Sequence, residues 1–240
     1  MEPRISKEAL GAVLMDGTAE VEPYKFSLAL VQAAEKLGCT IRHGTVTGLK
    51  REGERITGIV LGDEEVACGQ VVLSMGPWSG KTSDWLGIPI EVRPLKGQIL
   101  RLGIPGAPVD CSITWAGNYA TTKPDGLLWT GTTEEEEGFN EIPTTEARDS
   151  ITAALLKMMP SLSNAELIQQ TACLRPLSSD GLLLLGAIPG WEGVYMASGA
   201  GRRGILLGTA MGHITSDLVT HNVPEASIDA FAPGRFATSD

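Results

Sequence analysis

Apolar positions along the chain follow two alternating rhythms. Over PYKFSLALVQAAEKLG (23–38), Phe26, Leu30, Ala34 and Leu37 recur at helical spacing, which predicts an amphipathic helix. Pro23 lies near its start and Gly38 just past its end. Proline suits a first turn whose N–H groups lack partners, and glycine accepts the left-handed backbone that stops a helix. From Cys39 to Gly76 apolar and polar residues alternate, with breaks at Glu52-Gly53 and Gly62-Asp63. That pattern predicts strand, hairpin and strand. The closing run, QVVLSMG, is continuously apolar, as expected of a strand buried on both faces of a parallel sheet.

IEVRPLKGQILRLG (90–103) alternates again and reads as a strand. NYATTKP and GLLWTGTT follow as strands, joined by a turn at Lys123-Pro124-Asp125-Gly126. TTEARDSITAALLKMMPSL predicts a helix opened by Thr144 or Thr145 and closed before Pro160. ELIQQTACLRPLSSDGLLLLGAIPGWEGVYMASGAG returns to strands and turns, and GILLGTAMGHITSDLVTH to a final helix. The order fits an α+β fold better than a repeating βαβ array. The switch from buried runs such as QVVLS to alternating strands such as VRPLKGQILRL divides the chain into two interleaved units, 23–88 with 173–240 and 1–22 with 89–172.

A formal charge of −10 argues against nucleic acid or an anionic membrane as partner, since phosphate contacts need clustered lysine and arginine. The greasiest stretch, GLLLLGAIPGW, is too short and too interrupted to span a membrane, and MEPRISKEAL lacks a signal-peptide pattern, so a cytoplasmic protein is expected. Cys39, Cys68, Cys111 and Cys173 form no C-x-x-C pair and are expected as free thiols. His43, His213 and His221 have no metal-ligand spacing, so no metal site is expected. The acidic run Glu134 to Glu137 reads as a solvated turn.

Gly199-Ala200-Gly201-Arg202-Arg203-Gly204 is a literal G-x-G-x-x-G between a strand-like and a helix-like run. A dinucleotide fingerprint also needs a second strand ending in an acidic residue, roughly 20 residues on. Here VTHNVPEASIDAFAPGRFATSD follows, with no strand-like run. Two readings of the glycines stay open. The backbone approaches a flat or anionic ligand at a helix N-terminus, or the turn is simply tight against its neighbours.

TACLRPLSSDGLLLLGAIPGWEGVYMASGAGRRGILLGTAMG resembles the C-terminal block of the D-amino-acid oxidase-like FAD oxidoreductases, in particular the glycine oxidase and sarcosine oxidase relatives. VEPYKFSLALVQAAEKLG, TVTGLKREGERITGIVLGDEEVACGQVVLSMGPWSG, VRPLKGQILRL and NYATTKPDGLLWTGTTEEEEGFN resemble other blocks of that family, in the same order. The resemblance covers nearly the whole chain and implies the last two thirds of such an enzyme. The family's N-terminal strand, G-x-G-x-x-G and helix, which hold the FAD pyrophosphate, have no counterpart in these blocks. Segments 23–88 and 173–240 then correspond to the remainder of an α/β FAD-binding domain. Segments 1–22 and 89–172 correspond to an interleaved antiparallel-sheet substrate domain.

Arg175 matches the family's carboxylate-binding arginine, whose planar guanidinium takes a carboxylate through two parallel hydrogen bonds, or is a surface or structural arginine. Arg202 matches the arginine of its G-x-x-R-x-G turn beside flavin and substrate, while Arg203 occupies a position without a fixed charge there. Ala200, Gly201, Arg202, Arg203, Gly204, Ile205 and Leu206 correspond to the stretch against the flavin pyrimidine, where N–H groups and the helix dipole favour an anionic ring. Val46 matches a residue whose backbone bonds adenine, or is an ordinary strand valine. Gly76 and Trp78 match a turn near the cofactor, with Pro77 replacing a small residue. Tyr119 matches an active-site tyrosine, or is a half-buried strand residue; the following ATTKP departs from the family's proline-arginine.

The activity implied is oxidation of an amino acid or amine of glycine, sarcosine or D-amino-acid type by hydride transfer to FAD. The cofactor carries the hard chemistry and the protein orients the substrate. The partners implied are that small molecule and an N-terminal FAD-binding segment or partner chain. The alternative is a non-catalytic or degenerate flavoprotein fragment acting as a binding module. The chain alone is expected to bind FAD weakly or not at all.

Overall fold

The computed structural model describes residues 2–220 and 223–237, so His221 lies outside the described residues. Two compact units emerge, Met1–Thr40 with Lys96–Cys173 and Ile41–Leu95 with Leu174–Asp240.

The first unit is built on a five-stranded sheet. Its strands are β5 (Val92–Gly103), β6 (Ile113–Trp115), β7 (Asn118–Thr122), β8 (Leu128–Gly131) and β9 (Glu166–Ser178), in the order β6-β7-β8-β5-β9. The first residues of β5 and the last of β9 are counted in the second unit. The β7–β8 turn closes where Gly126 N–H donates to the Lys123 carbonyl at 2.9 Å, and Gly126 takes φ +80°. Helix α3 (Thr145–Met158) starts where the Thr144 side chain accepts from Ala147 N–H. Its buried Ile151, Leu155 and Met158 join Leu100, Leu102, Ala120 and Leu128 of the sheet in one core. Spacing at 151, 155 and 158 puts them on a single stripe.

Helix α1 (Pro23–Lys36) also belongs to the first unit by contact, whereas the sequence grouping placed 23–36 with 173–240. Its approach is pinned to β7, because Glu20 Oε2 accepts from Thr121 Oγ1 and Lys123 Nζ, both at 2.7 Å. The Glu22 carboxylate caps its first turn through Tyr24 and Lys25 N–H. None of its residues is buried, and Leu30 and Leu37 of the expected apolar face are exposed. The helix forms on local signals, and the described residues cover that face only in part, leaving Phe26 and Ala34 half-buried.

The second unit contains two small sheets. One is a meander of β1 (Val46–Glu52), β2 (Arg55–Leu61) and β3 (Glu64–Ala67), turning at Gly53 and Gly62, both at positive φ. In the other, β11 (Val194–Ser198) lies between β10 (Leu184–Ala187) and β4 (Val71–Leu73). β4 is parallel to β11, as its apolar run suggests, but it forms the sheet edge and Val72 is exposed. The expectation of burial on both faces therefore fails: Leu73 is buried in the core, whereas Val72, on the opposite face, is exposed. Leu73, Leu184, Val194 and Met196 pack with Ile56, Ile90 and Trp191, around which α2 (Ser83–Leu86) contributes Leu86. Helix α4 (Gly204–Val219) packs on β10 and β11.

Candidate functional site

A concavity of the second unit lies between β4 and α4. Strand β11 delivers a turn at Gly199, with φ +76°, and Gly201, with φ +51°. A Cβ on Gly199 would stand 2.8 Å from Leu184 Cδ1 and 3.2 Å from Leu184 N. Backbone conformation and close packing both exclude a side chain there, so the tight-turn reading holds for this glycine. Gly204, at the start of α4, differs: a Cβ there meets nothing within 4 Å, and the same is true at Gly208 and Gly212. These helical glycines cost roughly 1 kcal/mol each against alanine and are not required by this chain's own packing. They line a cavity of about 450 Å³, together with Val72 and Gly76 on one side and Ala200 and Met211 on the other.

Gly76, at φ +52°, opens a 3-10 helix over Gly76–Thr82. Pro77 falls at its first turn, where no N–H is needed, so this departure from the family pattern costs no hydrogen bond. The turn is fixed to the end of β11 by two buried serines that sequence reasoning passed over. Ser79 Oγ donates to the Gly76 carbonyl at 2.8 Å and lies 2.7 Å from Ser198 Oγ. The Trp78-Ser79 pair was the available signal. Trp78 itself is exposed.

Arg175 is half-buried on β9. Two residues on, Leu177 bridges Ala200, and a Cβ on Gly201 would touch Leu177 Cδ1 at 3.4 Å. The strand end carrying Arg175 is thus docked on the glycine turn. Arg202 and Arg203 are exposed on the 3-10 turn Gly201–Arg203, and Ile205 and Leu206 are exposed on the first turn of α4. The Arg203 side chain, at the N-cap of α4, makes no capping hydrogen bond. Of the residues singled out in the sequence, Gly76, Ala200 and Gly204 line the cavity. Val46 opens β1, half-buried, away from that lining. Tyr119 lies in the first unit, half-buried on β7, where its carbonyl accepts from Thr130 Oγ1 at 2.8 Å.

The acidic run is not simply solvated. Glu135 accepts from Thr133 Oγ1 and from Gln98 Nε2, and lies 3.5 Å from the fully buried Lys96 Nζ. Burial pushes its carboxyl up, but the bonds from Thr133 and Gln98 and the charge of Lys96 outweigh this and hold it below the usual range. Neighbouring acidic residues hid this role, because Gln98 and Lys96 lie tens of residues away. Among the described residues no three His, Cys, Asp or Glu converge as metal ligands, and no helix is long and apolar enough to cross a membrane. All four cysteines are free.

The cavity is mostly apolar and glycine-walled, and it runs along α4 from its N-terminal turn, where backbone N–H groups are available. The chain belongs to the DAO family of FAD-dependent oxidoreductases, whose model matches residues 1–218. It is 32% identical over 224 residues to glycine oxidase from Pseudomonas putida, covering 92% of this chain and 61% of that protein. It is 31% identical to the hydrogen cyanide synthase subunit HcnC of Pseudomonas protegens, covering 99% of this chain and 58% of that protein. The crystal structure of glycine oxidase from Geobacillus kaustophilus superposes with a TM-score of 0.92 at 24% identity, over 99% of this chain and 65% of that one. The chain therefore spans about three fifths of the length of the relatives it matches.

Proposed function

We propose that this chain forms the substrate side and the flavin-ring side of an FAD-dependent oxidoreductase acting on an amino acid or related amine of glycine, sarcosine or D-amino-acid type. An N-terminal nucleotide-binding segment, or a partner chain supplying one, completes the cofactor site. The observation that carries this reading is the cavity whose glycines the chain's own packing does not require, beside the docked strand end that bears Arg175. The residues present fit the ring end of FAD. Open space at Gly76, Gly204 and Gly208 admits a flat ring, and the uncapped first turn of α4 offers N–H donors to its polar edge. When bound, FAD supplies the hydride acceptor.

In this reading Ala200 to Leu206 face the ring, Gly76 and Trp78 flank it, and the Val46 backbone serves the adenine end. Arg175 takes the substrate carboxylate through two parallel guanidinium hydrogen bonds and orients the Cα–H, with Arg202 adding a further substrate contact. Segments 23–88 and 173–240 act as the FAD-binding part, and 1–22 and 89–172 as the substrate part. Free cysteines fit a reducing, cytoplasmic setting.

The open edge of β4, with Val72 exposed, favours a second reading, in which the chain is a non-catalytic flavoprotein fragment that binds a partner. Titration with FAD, followed by flavin absorbance and by bleaching with glycine, sarcosine and D-alanine, separates the two. We expect weak or no FAD binding by the chain alone, and amine-driven bleaching once the N-terminal segment of a glycine oxidase is added. Flavin binding without bleaching by any amine would favour the second reading.

A further inference from the structure

Arg235, close to the chain's end, holds the segment that follows Arg175. Its Nε and Nη2 donate to the two oxygens of Asp180 at 2.7 and 2.9 Å. Nη2 also donates to the Leu182 carbonyl at 3.0 Å, and Nη1 to the carbonyls of Phe231 and Ala232 at 3.1 and 3.2 Å. Every N–H of the guanidinium is used, a pattern only arginine's planar fork can make. The tail is itself seated: Pro233 is buried, Phe236 packs on the core, and a Cβ on Gly234 would stand 2.5 Å from Pro189 Cγ.

Asp180 lies in the turn that ends β9. Leu182 N–H donates to Asp180 Oδ1 at 3.0 Å and Gly181 N–H to the Ser178 carbonyl at 3.2 Å, closing the turn. Ser179 N–H donates to the Glu91 carbonyl at 3.1 Å. Between this turn and Arg175 stand Ser178, Leu177, which bridges Ala200, and Pro176, whose φ is fixed by its ring. A displacement at Asp180 therefore has few soft torsions to dissipate in before it reaches Arg175.

We propose that the Asp180–Arg235 clasp is a positioning element for Arg175, so that the C-terminal tail sets the geometry of the carboxylate-binding arginine. This rests on the assignment of Arg175 to a substrate carboxylate. The pairing with Arg235, ahead of other contributions, holds the Asp180 carboxyl at about 2, so the clasp stays charged at neutral pH.

The test uses the chain as it is and needs no flavin. Acetate is titrated into ¹⁵N-labelled wild type, Asp180→Asn and Arg235→Gln, and the Nε–H resonance of Arg175 is followed, with the exposed Arg42 and Arg55 as internal references. Asp180→Asn keeps the shape of the turn, and the amides of β10 and β11 report whether each variant is folded. The expected result is a response of Arg175 to acetate in wild type and a loss of about fivefold in apparent affinity in both folded variants, with Arg42 and Arg55 unchanged. Equal affinity in wild type and the folded variants overturns the clasp while leaving the arginine's assignment standing. A wild-type Arg175 that ignores acetate overturns the assignment itself, and the clasp with it.

Discussion

Replacing Gln98 by leucine should remove about 2–3 kcal/mol from the stability of the first unit. Gln98 is fully buried on β5 and joins three elements. Its Oε1 accepts from Thr144 N–H and from Gln170 Nε2, both at 2.9 Å. Its Nε2 donates to Glu135 at 2.9 and 3.1 Å, shared between the two oxygens, and to Thr144 Oγ1 at 3.2 Å. Leucine preserves the volume and removes every bond. Glu135 keeps Thr133 and Lys96, and Gln170 keeps the Thr144 carbonyl at 2.8 Å, so those partners are not orphaned. Thr144 N–H, at the cap of α3, is left without its acceptor, which costs roughly 1–3 kcal/mol, and the lost charge-assisted bond to Glu135 about 1.5–3 kcal/mol. Burying leucine instead of an amide returns roughly 1–2 kcal/mol. Urea unfolding followed by Trp129, buried on β8, measures the change as a lower midpoint at unchanged slope. Faster exchange of the Ala147 amide would place the damage at the α3 cap. Gln98→Glu should do worse, with a sign set by pH. A second carboxyl beside Glu135 titrates above its unfolded value, so its penalty is small below about pH 4 and grows as pH rises. A Gln98→Leu variant within about 0.5 kcal/mol of wild type would refute the reasoning.

Further outcomes follow from the second unit. Gly199→Ala, at φ +76° and 2.8 Å from Leu184 Cδ1, should lose about 1–3 kcal/mol, whereas Gly208→Ala, in open space, should gain about 0.5–1 kcal/mol; thermal unfolding of both variants checks the contrast. If the cavity holds a flavin ring, Gly208→Ala should still weaken flavin uptake by the complemented protein, measured by absorbance. Asp180, held at about 2 against an ordinary 3.8, stabilises the fold above pH 4 and loses that contribution as pH falls toward 2. With the pair partly solvated this is about 1 kcal/mol, visible as an acid-side drop in thermal midpoint that is smaller in Asp180→Asn. Arg175→Lys should impair amine-driven flavin reduction nearly as much as Arg175→Ala while flavin content barely changes, because lysine keeps the charge and loses the fork; wild-type reduction rates in Arg175→Ala would remove Arg175 from the substrate site.

The local features of this protein were legible in its sequence. Thr144 and Pro160 bracket α3, and Pro124-Asp125-Gly126 turns β7 into β8, because caps and turns depend on a few consecutive backbone angles. The glycine turn at 199–204 and the motif around Arg175 were legible for the same reason, and they carried the family. What depends on partners far along the chain was not. Glu135 stood in a run of four identical acids, and only the fold sets it against Lys96 and Gln98 on β5. Arg235 meets Asp180 across 55 positions. The apolar stripe of α1 implied a buried face, yet burial needs a covering element that the helix cannot itself encode, and none of that face is buried, with Leu30 and Leu37 exposed. The three glycines of α4 looked alike to the one at 199; tertiary packing separates them, because Leu184 fills the space over Gly199 while nothing fills it over Gly204, Gly208 and Gly212. Residue order decides which backbone angles are affordable, whereas the surroundings decide which atoms are near, and a binding cavity is made of the second kind of fact.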